Sequence, residues 1–147
     1  MKILASNKRA RHDYEILEVL EAGVQLTGAE VKSIKAGNVS LKGAHAAFTQ
    51  KGPVLLNMFV NPYKPAADQS YDPERTRPLL LHKREVEHLR GKVQEQGLTI
   101  VPISVYIKKN LIKIELGLAK GKKLHDKRET IKKRDNEREA RRLLKGN

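Results

Sequence analysis

Residues 98–119 read LTIVPISVYIKKNLIKIELGLA, and this stretch decides the fold class. Apolar residues stand at every second position from Ile112 to Leu118, with polar or small residues between them, which is the period of a half-buried strand. The polar segment 108–110 separates this run from a β-branched run before it. We therefore predict a hairpin with strands over 98–107 and 111–119.

Other strands are predicted upstream of this hairpin. Residues 44–50 and 54–60 flank Lys51-Gly52, which predicts a second hairpin. Residues 14–25 are rich in Ile, Leu and Val and are interrupted at Ala22-Gly23, which favours two short strands joined by a tight turn. Glutamates in this run are also compatible with a helix.

Two helices are legible between the strands. Thr27 and Glu30 fit a capping box, and an apolar face follows them, which predicts a helix over 28–36 that Gly37 can close. Apolar residues at helical spacing predict a second helix over 82–96, with Gly97 as its C-cap. Residues 61–78 contain four of the six prolines and are predicted to form a long surface loop.

About six strands with two or three short helices make an α+β fold. So many strands in a short chain favour a small closed or partly open β-barrel. We predict that this barrel domain occupies residues 1–119.

Residues 120–147 differ from the rest of the chain, since they hold 12 basic and five acidic residues. Their few large aliphatic residues are too scattered to bury a stripe against a core. No Pro or Gly interrupts residues 122–145, and most of these residues are good helix formers. We predict a basic C-terminal tail that is disordered in isolation and becomes helical when phosphates neutralise it. A solvated charged helix without a partner is the alternative.

The charge of the whole chain favours a polyanionic partner. Its formal net charge is +13 at pH 7, and self-repulsion of this size favours a nucleic acid or an anionic membrane surface as partner. Cysteine is absent, which excludes disulfides and thiolate metal sites. No apolar run approaches the length of a membrane span, and no signal peptide is legible. We expect a cytoplasmic protein.

The sequence contains no recognisable motif of a catalytic, metal or nucleotide site. The five histidines lack metal-ligand spacing, and there is no nucleotide-binding glycine loop or serine-nucleophile motif. We predict no catalytic residue, no metal and no cofactor. An enzyme with an unfamiliar site is the alternative.

Basic residues cluster in an N-terminal arm, at the end of the Pro-rich segment and at the start of the second predicted helix: Lys8, Arg9, Arg11, Arg75, Arg77, Lys83 and Arg84. Arginine binds phosphate and stacks on unpaired bases, and no DNA-reading motif is present, so RNA is favoured. Each cation alone is more often an ordinary solvated side chain, so the prediction rests on the clusters.

Two acidic residues lie among these cations. Glu30 has a structural role in the capping box. Glu21 has no role that the sequence explains, and its carboxylate could accept from base amino or imino groups. A solvated turn residue is the alternative.

Several runs resemble one family. They are NKRARHDY (7–14), EAG (21–23), GAEVKSIKAG (28–37), RTRPLLLH (75–82) and GKKLHDKR (121–128). In this order they resemble the small protein B family, the SsrA-binding proteins of bacterial trans-translation, over nearly the whole chain.

This resemblance implies an oligonucleotide-binding-type β-barrel that binds the tRNA-like domain of transfer-messenger RNA (tmRNA, or SsrA RNA). It implies delivery of that RNA to stalled ribosomes, with the tail helical in the empty mRNA channel near the decoding centre. The protein itself would perform no bond chemistry, and it would need no small-molecule substrate.

The resemblance also assigns residues to two surfaces. The RNA-binding face is expected to comprise Asn7, Arg11, Glu21, Leu80, His82 and Lys83. The part of the tail that meets the small-subunit decoding centre is expected to comprise Lys122, Lys123, His125, Asp126, Lys127, Arg128, Leu143 and Leu144. A generic ribosome-associated RNA-binding protein or RNA chaperone is the alternative function, and an RNA-processing enzyme is the third.

Overall fold

A computed structural model describes residues 1–63 and 70–121. Along the chain, the elements are β1 (Lys2–Ser6), α1 (Lys8–Asp13), β2 (Tyr14–Val24), α2 (Gly28–Lys35), β3 (Val39–Ser40), β4 (His45–Thr49), β5 (Gly52–Leu56), β6 (Phe59–Val60), β7 (Arg77–Leu80), α3 (Lys83–Gln96), β8 (Thr99–Lys108) and β9 (Leu111–Gly121). The predicted mixture of strands and few helices is confirmed.

The strands pair antiparallel throughout the described residues. Seven of them form one sheet in the order β1-β8-β4-β5-β7-β2-β9, and β8 also pairs with β9. The short strands β3 and β6 pair with each other. The predicted hairpin at 98–119 is confirmed as β8 and β9, and Lys109 and Asn110 both have positive φ in its turn. Such a turn matches the right-handed twist of the strands.

The run from Tyr14 to Val24 forms one continuous strand, so the predicted break at Ala22-Gly23 is wrong. Ala22 is buried and lies opposite Ile114 of β9, while Gly23 lies opposite Lys113 on one side and Leu80 of β7 on the other. Leu80 packs over Gly23, where a Cβ would lie 3.2 Å from the Leu80 Cβ. The glycine therefore permits close contact between strands instead of forming a turn.

The sheet buries apolar side chains on both faces. The main core includes Ile114, Leu116 and Leu118 of β9, and it is covered by Ile34 of α2 and Leu89 of α3. Ala119, which alternation places on the opposite face, packs with Val101 and Ala10 in a smaller cluster. Helix α1 covers that face at one end only. The strands beyond α1 are left with an outer face that has no helix over it among the described residues.

The N-terminus is more ordered than the predicted basic arm. Residues Lys2–Ser6 pair with β8, and the Asn7 amide donates to the Ile103 carbonyl at 2.7 Å. Helix α1 then covers only six residues. A helix this short has no visible period in the sequence, and tertiary contacts stabilise it.

Both longer helices begin and end close to the predicted residues. Helix α2 has the predicted capping box, in which the Thr27 hydroxyl accepts from the Glu30 amide at 3.2 Å. Helix α3 ends at Gly97, whose φ of 62° is the left-handed conformation expected of a C-cap glycine. The capping residues and hydrophobic spacing were sufficient to locate both helices.

Candidate nucleic-acid interface

The outer face carries polar and apolar side chains of β2 and β9 in register. Glu21 lies opposite Glu115, and Val19 lies opposite Gly117. Val19 is exposed by 57%, which is high for a valine in the middle of a long strand. Because strand residues alternate between faces, these side chains point away from the main core. We call this surface, with α1 at one end and the start of α3 beside it, the outer face.

Helix α1 is fixed to one end of the outer face by Asn7. The Asn7 side chain accepts from the Ala10 amide at 3.2 Å as the N-cap, and its Nδ2 donates to the Pro102 carbonyl at 3.0 Å. Arg11, one turn later, is 68% exposed and lies 3.6 Å from Glu115. Asn7 thus holds α1 against β8, and α1 places Arg11 above β9.

Glu21 has a structural environment that the sequence did not reveal. Its Oε2 accepts from the Tyr106 hydroxyl at 2.5 Å and from Lys108 Nζ at 3.3 Å. The hydrogen bond from Tyr106 lowers the pKa of Glu21, and the charge of Lys108 acts in the same direction. Burial raises the pKa of Tyr106, so its hydroxyl stays protonated and can donate. Glu21 is therefore an ionised acceptor held in place on the outer face.

Leu80, His82 and Lys83 continue this surface toward α3. Leu80 is 58% exposed and packs over Gly23. Gly23 lies two residues after Glu21 on β2. The His82 amide donates to Glu85 Oε1 at 3.0 Å, which fixes the start of α3 so that Lys83 is its first residue. His88 of α3 contacts Glu18 of β2 at 2.9 Å, and Val19 and Arg84 line the same groove of about 350 Å³. The structure thus places all six predicted RNA-binding residues on or beside one face.

Arg75 and Arg77 do not belong to this surface, contrary to the predicted RNA footprint. Arg77 is fully buried, and its Nε donates to Glu30 Oε2 at 2.7 Å. Arg75 Nη2 donates to Glu30 Oε1 at 2.5 Å. The described end of the predicted surface loop is therefore packed into the protein, where it continues into β7. Nothing in this Pro-rich segment indicated that Glu30, 45 residues from Arg75 and 47 from Arg77, pairs with both arginines.

The Glu30 carboxylate stays ionised far below its ordinary range. Burial alone raises the pKa of Glu30, but the hydrogen bonds from Arg75, the Thr27 amide and Arg77 outweigh it and lower the pKa from 4.5 to about 2. Tyr71 also donates to Glu30 Oε2, at 3.2 Å. The cluster of Glu30, Arg75, Arg77 and Tyr71 thus joins α2 to the segment that leads into β7.

This cluster predicts acid sensitivity of folding. A carboxyl whose pKa is lower in the folded state stabilises the fold above its unfolded-state pKa, and this contribution is lost as pH falls toward the folded-state value. For Glu30 the window runs from about 4.5 down to about 2, and the contribution is about 3 kcal/mol. Urea unfolding at a series of pH values should show this loss. Glu30→Gln should remove this part of the pH dependence, and an unchanged profile would contradict the assignment.

The predicted tail residues, Lys122, Lys123, His125, Asp126, Lys127, Arg128, Leu143 and Leu144, lie outside the described residues. Within residues 1–63 and 70–121, no three His, Asp or Glu side chains are placed to hold a metal ion. None of the helices in those ranges has the length and hydropathy of a membrane-spanning helix.

Sequence reasoning missed four side chains of the outer face: Val19, Tyr106, Lys113 and Glu115. Lys113 and Glu115 stand at the polar positions of the alternating β9 run, so their outward orientation could have been predicted. Tyr106 could not, because its hydrogen bond joins residues 85 apart in the chain.

Comparison with known proteins agrees with this architecture. The family model described as SmpB protein matches residues 4–146. The SsrA-binding protein of Microcystis aeruginosa is 47% identical over 146 residues, covering 99% of this chain and 95% of the relative. The SsrA-binding protein of Persephonella marina is 50% identical over 146 residues, covering 99% and 96%.

A solved structure gives the same result. One chain of the structure described as "tmRNA-SmpB: a journey to the center of the bacterial ribosome" superposes with a TM-score of 0.65 and 48% identity. The superposition covers 80% of this chain and 82% of that chain. The family match spans almost all of the sequence and the folds agree as well, so the chain belongs to the SmpB protein family.

Proposed function

We propose that this protein binds the tRNA-like domain of tmRNA and delivers it to stalled ribosomes in trans-translation. The observation that carries this proposal is the family membership: relatives about half identical over nearly their full length are SsrA-binding proteins. The words that describe the similar solved structure name tmRNA-SmpB and the center of the bacterial ribosome. The partners proposed for this chain are therefore tmRNA and the ribosome.

The outer face is proposed as the RNA-binding surface, through Asn7, Arg11, Glu21, Leu80, His82 and Lys83. Its chemistry supports this role, because it combines exposed cations, an ionised acceptor and exposed aliphatic side chains. Cations contact phosphates without regard to sequence, whereas an acceptor and an apolar side chain contact particular groups of a folded RNA. Asn7 acts in part by positioning α1, since its side-chain nitrogen and its side-chain oxygen each make a hydrogen bond with the backbone.

The finer description of the fold is part of the same proposal. We infer that β8, β9, β2, β7, β5 and β4 close an oligonucleotide-binding-type barrel. Pairing of β4 with β8 through Ala46 and Ile100 supports this closure, since it joins the two ends of that series. The barrel domain is proposed to span residues 1–119 and the tail residues 120–147.

The tail is proposed to act on the ribosome, in the empty mRNA channel near the decoding centre. Its high density of Lys and Arg supports this role, since ribosomal RNA supplies the phosphates that would neutralise it. Lys122, Lys123, His125, Asp126, Lys127 and Arg128 would approach the decoding centre, and Leu143 and Leu144 would lie further along the channel. The protein would act in the cytoplasm and would catalyse no bond chemistry itself.

Competition binding tests this function. A labelled tRNA-like domain of tmRNA is bound at a fixed salt concentration of about 0.15 M, because affinities for RNA depend strongly on salt. Unlabelled tmRNA should displace it at far lower concentration than bulk tRNA or ribosomal RNA fragments do. Equal displacement by all three RNAs would contradict the proposal and would favour a generic RNA-binding protein or RNA chaperone.

A further inference from the structure

The two oxygens of the Glu21 carboxylate are in different environments. Oε2 accepts from both Tyr106 and Lys108, whereas no residue in the described part of the chain bonds to Oε1. The side chain is 37% exposed. One oxygen is therefore used by the protein, and the other is available on the outer face.

Tyr106 holds this arrangement from a buried position on the outer-face side of β8. It lies on β8, is only 4% exposed, and its hydroxyl extends past β9 to reach Glu21 on β2. Because a buried ring cannot change its position without moving its neighbours, the hydroxyl fixes the carboxylate and its hydrogen bond stabilises the ionised form. Lys108 is 51% exposed and adds a second donor to the same oxygen.

The neighbouring strand explains why such support is needed. Glu115 lies directly opposite Glu21, and like charges in this position repel each other. Each carboxylate has partners of its own: Arg11 for Glu115, and Tyr106 with Lys108 for Glu21. These partners therefore offset the repulsion between the two glutamates on a surface proposed to meet RNA.

This geometry limits what Glu21 can recognise. Each carboxylate oxygen has two lone-pair directions, and those of Oε2 are occupied by Tyr106 and Lys108. Two parallel donors, such as the N1–H and N2–H of guanine, need both oxygens. A single donor needs only Oε1.

We propose that Glu21 accepts one hydrogen bond from tmRNA through Oε1, an inference that rests on the proposed function. The donor is a single-donor group, either a ribose 2′-hydroxyl or the exocyclic amine of adenine or cytosine. Tyr106 and Lys108 are positioning residues that aim this oxygen at the RNA. Guanine recognised through two donors is excluded at this position.

Tyr106→Phe tests the positioning role, with Tyr63→Phe as the matched control. Tyr63 contacts Lys32 of α2 through its ring, and the hydrogen bonds to Glu21 in the described part of the chain come from Tyr106 and Lys108. In fluorescence anisotropy with the tRNA-like domain, Tyr106→Phe should weaken binding about tenfold, and the control should change it less than twofold. In a Glu21→Ala background, Tyr106→Phe should have almost no further effect. An equal loss in both backgrounds would assign Tyr106 to structure alone and overturn the proposal.

Single-atom changes in the RNA then identify the donor. Each contacted nucleotide is replaced by its 2′-deoxy form in one arm, and by purine for adenine or pyrimidinone for cytosine in the other. One such change should weaken binding to the wild-type protein, and this loss should disappear with Glu21→Ala. If only guanine-to-inosine changes behave in this way, the donor is guanine, and its assignment to a ribose 2′-hydroxyl or to adenine or cytosine is wrong.

The same measurements separate this inference from the proposed function. If the wild type prefers tmRNA over bulk tRNA but Tyr106→Phe binds as tightly as the wild type, the inference fails and the function stands. If the wild type shows no preference for tmRNA, both fail.

Discussion

Glu30→Ala is expected to lower the free energy of unfolding by about 3–5 kcal/mol. The substitution leaves the guanidinium of Arg77 fully buried without a counter-charge, although Met58 and Pro73 carbonyls still accept from it. It also removes the hydrogen bond that the Thr27 amide donates to Glu30 Oε1 in the capping box. The total free energy of unfolding of a domain of this size is about 5–15 kcal/mol, so this loss is a large part of its stability. Urea denaturation followed by circular dichroism measures it.

Glu85→Ala is the matched control for this prediction. Glu85 makes the equivalent capping-box bond to the His82 amide at the start of α3, but it contacts no buried arginine. Its replacement should therefore cost about 1 kcal/mol. If Glu30→Ala does not fold at all, Glu30→Gln retains the shape and provides a measurable variant. Equal costs for the Glu30 and Glu85 variants would show that the buried ion pairs contribute nothing beyond the cap.

Truncation after Gly121 is expected to abolish tagging on stalled ribosomes while leaving the affinity for the tRNA-like domain nearly unchanged. Strand β9 ends at Gly121, where it pairs with Tyr14, and every core residue named above precedes that point. The proposed RNA-binding face is likewise complete without the tail. The tail, by contrast, supplies all of the proposed contacts to the decoding centre and the mRNA channel. Anisotropy with the tRNA-like domain and a reconstituted tagging reaction measure the two effects separately.

Full-length Glu21→Ala gives the opposite pattern and serves as the control. It should weaken RNA binding and reduce tagging together, with a thermal unfolding temperature close to that of the wild type, because Glu21 lies on the surface. A large loss of RNA affinity in the truncated protein would show that the roles of barrel and tail are divided wrongly. Normal tagging by the truncated protein would contradict the proposed role of the tail.

Local patterns were sufficient for the parts of the fold that depend on near neighbours. The alternation at 111–119 identified β9, and Thr27 with Glu30 identified the start of α2. These signals work because a strand or a cap is defined by residues within a few positions of one another. Ala22-Gly23 was misread for the opposite reason: the glycine is required by the packing of Leu80, which belongs to another strand.

In the candidate site, too, some features could be predicted from local sequence and others depend on distant residues. The six proposed RNA-binding residues were named from a resemblance between short runs of sequence, and they lie on or beside the outer face. Arg75 and Arg77 are a cluster of the kind that indicates RNA binding. Arg77 is nevertheless buried, and both arginines are paired with Glu30. Whether a cation is free or paired depends on burial and on distant partners, and neither is visible along the chain.

The sequence by itself determined the fold class, both longer helices, the long hairpin and the basic composition of residues 120–147, because each depends on local spacing or on composition. Only the tertiary structure decided which charges face the solvent, which are neutralised inside, and which oxygen of Glu21 is free to accept. The physical reason is that the free energy of a charged side chain depends on its burial and on the groups that lie near it in space. Tyr106 and Arg77 reach their glutamates across 85 and 47 residues of chain.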